Sequence, residues 1–272
     1  MSVRGVFAVM GVECSKLLAQ FKTHVLLAIC VVAPFAFAIS MRVQSSLPSD
    51  TLFGRAANES GFAVSLVVLG FAGLWAFPVL TGVVGGDVFS SEDRHGTWAT
   101  VLTRSRSRAE IFAGKTLTAM AFSLLSIALL GASSIAAGVL VIGYTPLIDL
   151  SGILLRPEQA LPRVALAWTS VLPPALGFTA LGILLSVATR SSAAGIGLPV
   201  VIGLLMQLVA FVDGPEAARR LLITYAFGGW HGLLFEPHFH GPLIHGTAIS
   251  VIYFIGCLMI AYGLLQRREI GR

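Results

Sequence analysis

The chain has 272 residues, of which 56% are apolar and only 11% charged, with a formal net charge of +5 and a mean hydropathy of +0.88. A soluble domain carries about 25% charged residues, so this composition excludes an ordinary water-soluble catalytic domain and leaves room for about six membrane spans of roughly 20 residues each. The positive balance does not call for nucleic acid, because membrane proteins keep Lys and Arg on their cytoplasmic side, and no nucleic-acid partner is expected.

At the N-terminus, Val3, Phe7, Met10, Cys14, Leu17 and Phe21 recur at alternating steps of four and three. That spacing draws one apolar stripe along a helix, with Arg4, Glu13, Lys16 and Gln20 largely off it. It predicts an amphipathic interfacial helix over residues 1–22, lying on the inner membrane surface; the alternative is a plain extension of the first span. Glu13, Lys16 and Lys22 break any early apolar core, which argues against a cleavable signal peptide. The three cysteines, Cys14, Cys30 and Cys257, suggest no disulfide framework.

Apolar runs follow at roughly 24–41, 62–85, 116–142, 164–188, 194–212 and 246–265, each able to cross a bilayer as a helix that satisfies its own backbone. Pro34, Pro78, Pro173, Pro174 and Pro199 lie in or near these runs and are expected to kink helices rather than abolish them. Small residues on the third and fifth runs (Gly131, Ala132, Ser133, Ala136, Gly138, then Gly195 and Gly197) predict close helix packing within one bundle. The connection over 213–245 is apolar in its middle, Leu221 to Leu234, which predicts short re-entrant helices between the fifth and sixth spans.

Arg and Lys set the orientation. With both termini inside, the inner set is Arg4, Lys16, Lys22, Arg94, Arg104, Arg106, Arg108, Lys115, Arg190, Arg267, Arg268 and Arg272, against Arg42, Arg55, Arg156, Arg163, Arg219 and Arg220 outside. This bias places the polar segment over 86–115 in the cytoplasm. That segment runs from acidic residues (Asp87, Glu92, Asp93) through Gly96-Thr97 to basic ones (Arg104, Arg106, Arg108, Lys115). None of the six apolar runs carries Asp, Glu, Lys or Arg in its interior, which argues against an ion-coupled secondary carrier and against a channel with a charged ring. Uphill transport by such a bundle needs an outside source of energy.

In its order of Glu92, Gly96-Thr97, Val101-Leu102, the basic turn Arg104 to Arg108, and Gly114-Lys115, the segment resembles the cytoplasmic coupling helix of permease subunits of type-2 ABC exporters. The family often has Pro in the basic turn, where Ser105 and Ser107 stand here. The resemblance implies an all-α membrane protein. It would be a single permease domain over 1–272 with six transmembrane helices, an N-terminal interfacial helix, a coupling helix between spans 2 and 3, and re-entrant helices between spans 5 and 6. It further implies a bacterial inner-membrane exporter subunit that is not itself an enzyme. The expected partners are two separate ABC ATPase chains, a second permease copy (homodimer or heterodimer) and the lipid bilayer. Glu92, Asp93, Gly96, Thr97, Arg104, Arg106, Arg108 and Lys115 are the expected ATPase-coupling residues. The chain itself is expected to hold no cofactor, with ATP and Mg bound by the ATPase.

Two motifs point elsewhere. Ala109 to Thr116 satisfies a relaxed nucleotide-binding pattern, but the residues before it are bulky and helical, unlike the flexible glycines that let a P-loop cradle phosphate. Lys115 is instead expected to snorkel to the lipid interface. His238 and His240, with His231, His245 and Glu236 nearby, are weak metal candidates. They keep open a metalloenzyme as a rival reading, beside a secondary carrier.

Overall fold

The computed structural model describes residues 2–44, 51–98, 107–211 and 216–267. Helix α1 (Val3–Leu18) precedes α2 (Phe21–Val43), and then come α3 (Gly61–Asp87), the short α4 (Ser90–His95) and α5 (Arg108–Val141). A two-stranded antiparallel ribbon, β1 (Leu147–Ile148) with β2 (Leu154–Leu155), leads into α6 (Pro157–Ser170) and α7 (Leu172–Thr189). Next are α8 (Ser192–Phe211), the short α9 (Glu216–Arg220) and α10 (Ile223–Ala226), a 3-10 turn over Gly229–Leu234, and α11 (Gly241–Gln266). Among the described residues, six helical segments are long and apolar enough to span a bilayer: α2, α3, α5, α6 with α7, α8 and α11. The chain is an all-α multi-span membrane protein, and an even number of crossings leaves α1 and the end of α11 at one end of the bundle, called here the terminal end.

Local chemistry explains where the spans break. The fourth span is two helices that meet at Val171, because Pro173 and Pro174 have no N–H to give and fit only the first turn of a new helix. In α3 the residues Ala72–Ala76 form a π-helical turn just ahead of Pro78. The third span begins at Arg108, earlier than its apolar run. Ser107 Oγ accepts from the Glu110 amide and Glu110 Oε2 accepts from the Ser107 amide, both at 3.2 Å, which makes a capping box. The 34 residues of α5 extend about 51 Å, well beyond the hydrocarbon thickness of about 30 Å. Its first turns therefore stand clear of the apolar core.

The spans pack through small residues and aromatic rings. An added Cβ at Gly138 would lie 2.0 Å from the Gly61 carbonyl oxygen, and one at Gly195 would lie 2.2 Å from that of Gly86, so α3 touches both α5 and α8 backbone to backbone. Gly131 is pressed against Trp168, whereas Gly197 faces open space. Close packing within one bundle therefore holds for three of the expected glycines and not for Gly197. Hydroxyls bridge the spans: Ser65 Oγ and Ser134 Oγ lie 2.8 Å apart, and Ser123 Oγ and Thr179 Oγ1 also 2.8 Å. At the far end, Phe227 packs on Phe77 (5.2 Å) and Phe178 (5.8 Å), and Ile223, Trp230 and Leu234 are buried. The apolar middle of the connection thus folds into short helices covered by protein. Leu150 donates its amide to the Leu234 carbonyl at 2.9 Å, and Arg163 bonds Glu236 at 3.1 Å.

Candidate functional site

The terminal end gathers the charges that the spans exclude. After α3 the chain turns at Val88-Phe89, and the amides of Phe89 and Ser90 donate to Ser186 Oγ of α7 at 3.2 and 2.9 Å. Ser90 Oγ donates back to the Gly86 carbonyl at 2.8 Å. Helix α4 is thus anchored at its start. It ends at Gly96 in the left-handed conformation (φ +64°), where a residue without Cβ is strongly favoured. The Thr97 amide then bonds the Glu92 carbonyl at 3.0 Å. Below α4 lies an aromatic pad of Phe89, Trp98, Phe112 and Tyr262.

Lys115, two turns into α5, is the centre of the arrangement. Its side chain is fully buried, and its three N–H bonds, all 2.9 Å, go to Glu13 Oε2 of α1, Glu92 Oε1 of α4 and the Val88 carbonyl. An ammonium has three donors, so all are used. Lys16 reaches the same two carboxylates at 2.8 Å, and Thr97 donates its hydroxyl to the other oxygen of Glu92. Two acids and two bases close a neutral cluster that joins α1, α4 and α5. Next to it, Lys22 pairs with the buried Asp87, and Arg94 stands 3.8 Å from the same carboxylate. On the far side of α5, Arg108 donates to the Leu265 and Gln266 carbonyls at 3.1 and 2.7 Å and so satisfies the open end of α11.

Burial alone would raise the pKa of Glu92. The Lys115 charge and hydrogen bonds from Lys16, Thr97 and Lys115 outweigh it and bring its pKa down to about 2 from 4.5. Burial would lower that of Lys16, but hydrogen bonds to Glu13 and Glu92 hold it above its ordinary value. Because the folded value of Glu92 lies below the unfolded one, its stabilisation is complete above about pH 4.5 and is lost as pH falls toward about 2. Thermal unfolding in nanodiscs is expected to follow this course. Glu92→Gln is expected to flatten the acid slope, and an unchanged slope in that variant would place the acid-labile group elsewhere.

The sequence model for the ABC-2 family transporter protein matches residues 9–206, well over half of the chain, including the second half of α1, all of α4 and the Lys115 cluster. This chain belongs to the ABC-2 transporter family. It is a transport permease, and a search of curated proteins finds no match. Of the residues expected to couple this permease to an ATPase, the structure brings together Glu92, Thr97 and Lys115, with Gly96 closing α4 and Asp93 half-buried on it. Arg108 sits on the end of α11 instead. Arg104 and Arg106 lie outside the described residues.

One expectation is corrected, and two placements are new. Lys115 does not snorkel to lipid, because two carboxylates and a carbonyl enclose it. Glu92, one of the expected coupling residues, is only 4% exposed and faces its own chain. A charge reversal there would place three ammonium groups together, so it would act on folding as well as on any contact. Helix α1 buries Gly5, Val6 and Glu13, while Val3 and Phe7 of the predicted apolar stripe are exposed. The stripe expected at the membrane surface is thus left outside the protein core, and the face against protein carries Glu13. The role of Glu13 and Lys16 was missed, although two opposite charges three residues apart on an otherwise apolar helix were a usable signal. His238 and His240 are exposed with ring centroids 6.1 Å apart, and among the described residues no three His, Cys, Asp or Glu side chains converge to hold a metal.

Proposed function

We propose that this permease is one transmembrane subunit of an ATP-driven exporter in a bacterial cytoplasmic membrane, with both termini in the cytoplasm. A second permease copy, identical or homologous, completes the pathway. Two separate ABC ATPase chains dock below and bind the ATP and Mg, and this chain catalyses nothing itself. The observation that carries the reading is the enclosure of Lys115 by Glu13, Glu92 and Val88, within a chain of this family. A short helix fastened at both ends and clamped to two neighbours moves as one body with α3 and α5. A push on it displaces the spans, whereas a loosely hung loop would absorb the push. Glu92, Thr97 and Lys115 act as internal fasteners in this scheme. The exposed rim of α4, Arg94, His95 and Gly96, is the surface offered to the ATPase, with Asp93 at its edge. Residues Ala109 to Thr116 lie in α5 with all three Lys115 donors taken, which supports a chain that leaves nucleotide to its partner.

The test is co-purification with the ABC ATPase. The double variant Arg94→Gln/His95→Glu is expected to weaken pull-down at least tenfold, because charge placed wrongly at an interface costs several kcal/mol, while the unfolding temperature falls only slightly, since Lys22 still pairs with Asp87. Cysteines at Ser105 and Arg272 should react only from the cytoplasm, and those at Glu158 and Glu216 only from outside. Normal pull-down by the double variant, or external labelling at Ser105, would sink the coupling reading.

A further inference from the structure

At the end of the bundle away from the termini, α3, α8 and the segment 224–231 surround a cavity of about 510 Å³. One wall is the π-helical stretch of α3, a distortion that recurs at functional sites because it re-aims the side chains on either side of it. The body of the cavity is apolar and aromatic, with Phe71, Phe227 and Trp230, and among the described residues no Asp, Glu, Lys or Arg lines it. The polar groups of the wall are Thr51, Gln207 on α8, Thr224 and Tyr225 on α10, and His231, whose imidazole is held toward its neutral form by burial. The Gln207 amide is half-buried and makes no hydrogen bond within the described residues. An amide in apolar surroundings is costly until something bonds it.

We propose that this cavity binds a neutral amphiphile, whose aromatic or alkyl body lies against Phe71, Phe227 and Trp230 while one uncharged polar group bonds Gln207 and Thr224. The size falls within the range of small-molecule sites, and the pattern of apolar walls with a few polar groups is the one such sites use. A charged ligand would be stripped of water with no counter-ion to replace it. This names the class of cargo and rests on the exporter reading.

Binding of three fluorescent probes to the purified full chain in nanodiscs tests it: neutral phenylnaphthylamine, anionic anilinonaphthalene sulfonate and cationic rhodamine. The neutral probe is expected to bind saturably, and the charged ones at least tenfold more weakly. Gly70 lines the cavity, and an added Cβ there meets nothing within 4 Å. Gly70→Leu is therefore expected to fill the space and abolish saturable binding with no loss of thermal stability. Gln207→Leu removes one hydrogen bond in an apolar setting and is expected to weaken binding about tenfold. Wild-type affinity in either variant, or tighter binding of a charged probe, would overturn the proposal. Absent probe binding with ATPase pull-down intact rejects the cavity and leaves the exporter reading standing. Lost pull-down with binding intact does the reverse.

Discussion

Lys115→Met is expected to destabilise the detergent-solubilised protein by about 3–5 kcal/mol, the usual cost of removing one partner from a buried ion pair. The variant leaves the carboxylates of Glu13 and Glu92, each under a tenth exposed, with only the half-exposed Lys16 between them. The loss should appear as a lower unfolding temperature and as faster amide exchange confined at first to α1 and α4, since those elements meet α5 through this side chain. Glu92→Gln should cost a comparable amount by stranding part of the Lys115 charge. The double variant Glu92→Gln/Lys115→Met should recover part of the sum, because neutral groups of similar volume leave no charge unpaired. Additive losses in the double variant, or a Lys115→Met protein as stable as wild type, would mean that the cluster does not hold the three helices together.

Gly86→Ala is the second large effect. The added carbon would fall 2.1 Å from the Gly195 carbonyl oxygen, an obstacle that belongs to backbone and cannot rotate away. Overpacking costs about 1–3 kcal/mol in general, and a contact with backbone belongs at about the top of that range. Helices α3 and α8 would have to part, which also shifts α4, because Ser90 bonds the Gly86 carbonyl. The yield of monodisperse protein in detergent should drop sharply. Gly197→Ala is the matched control on α8: nothing lies within 4 Å of its added carbon, so it should behave as wild type. Equal stability of the two variants would show that the α3–α8 approach is not as close as described.

The spans were readable because hydrocarbon imposes a simple code. Long apolar runs must be helical to satisfy their own backbone, and all six were found, with boundaries shifted where a specific residue intervened. The Ser107-Arg-Ala-Glu110 capping box was also plain in the sequence, yet the apolar run alone suggested a start eight residues too late. Gly96 was legible as a left-handed helix stop. The direction in which Lys115 points was not. Its carboxylate partners lie 102 and 23 residues away, and no periodicity links them. The stripe on α1 marked a face for the membrane surface, and Val3 and Phe7 are exposed; that the other face buries Glu13 was not legible, because the ammonium that draws it in stands on α5, 102 residues away.

The sequence by itself determined the membrane class, the number of apolar spans and the family-like order of residues around Gly96, since each depends on local composition or on spacing within one element. Only the tertiary structure decided which charges are spent inside the protein and which remain for a partner. The inner set of Lys and Arg looked like one positive surface, but Lys16, Lys22 and Lys115 are paired with Glu13, Asp87 and Glu92. Arg94, although it also reaches Asp87, and His95 remain exposed on α4. The physical reason is the desolvation of charge: a buried ion must find its opposite wherever the fold brings one near, and that proximity comes from the packing of helices distant in the chain.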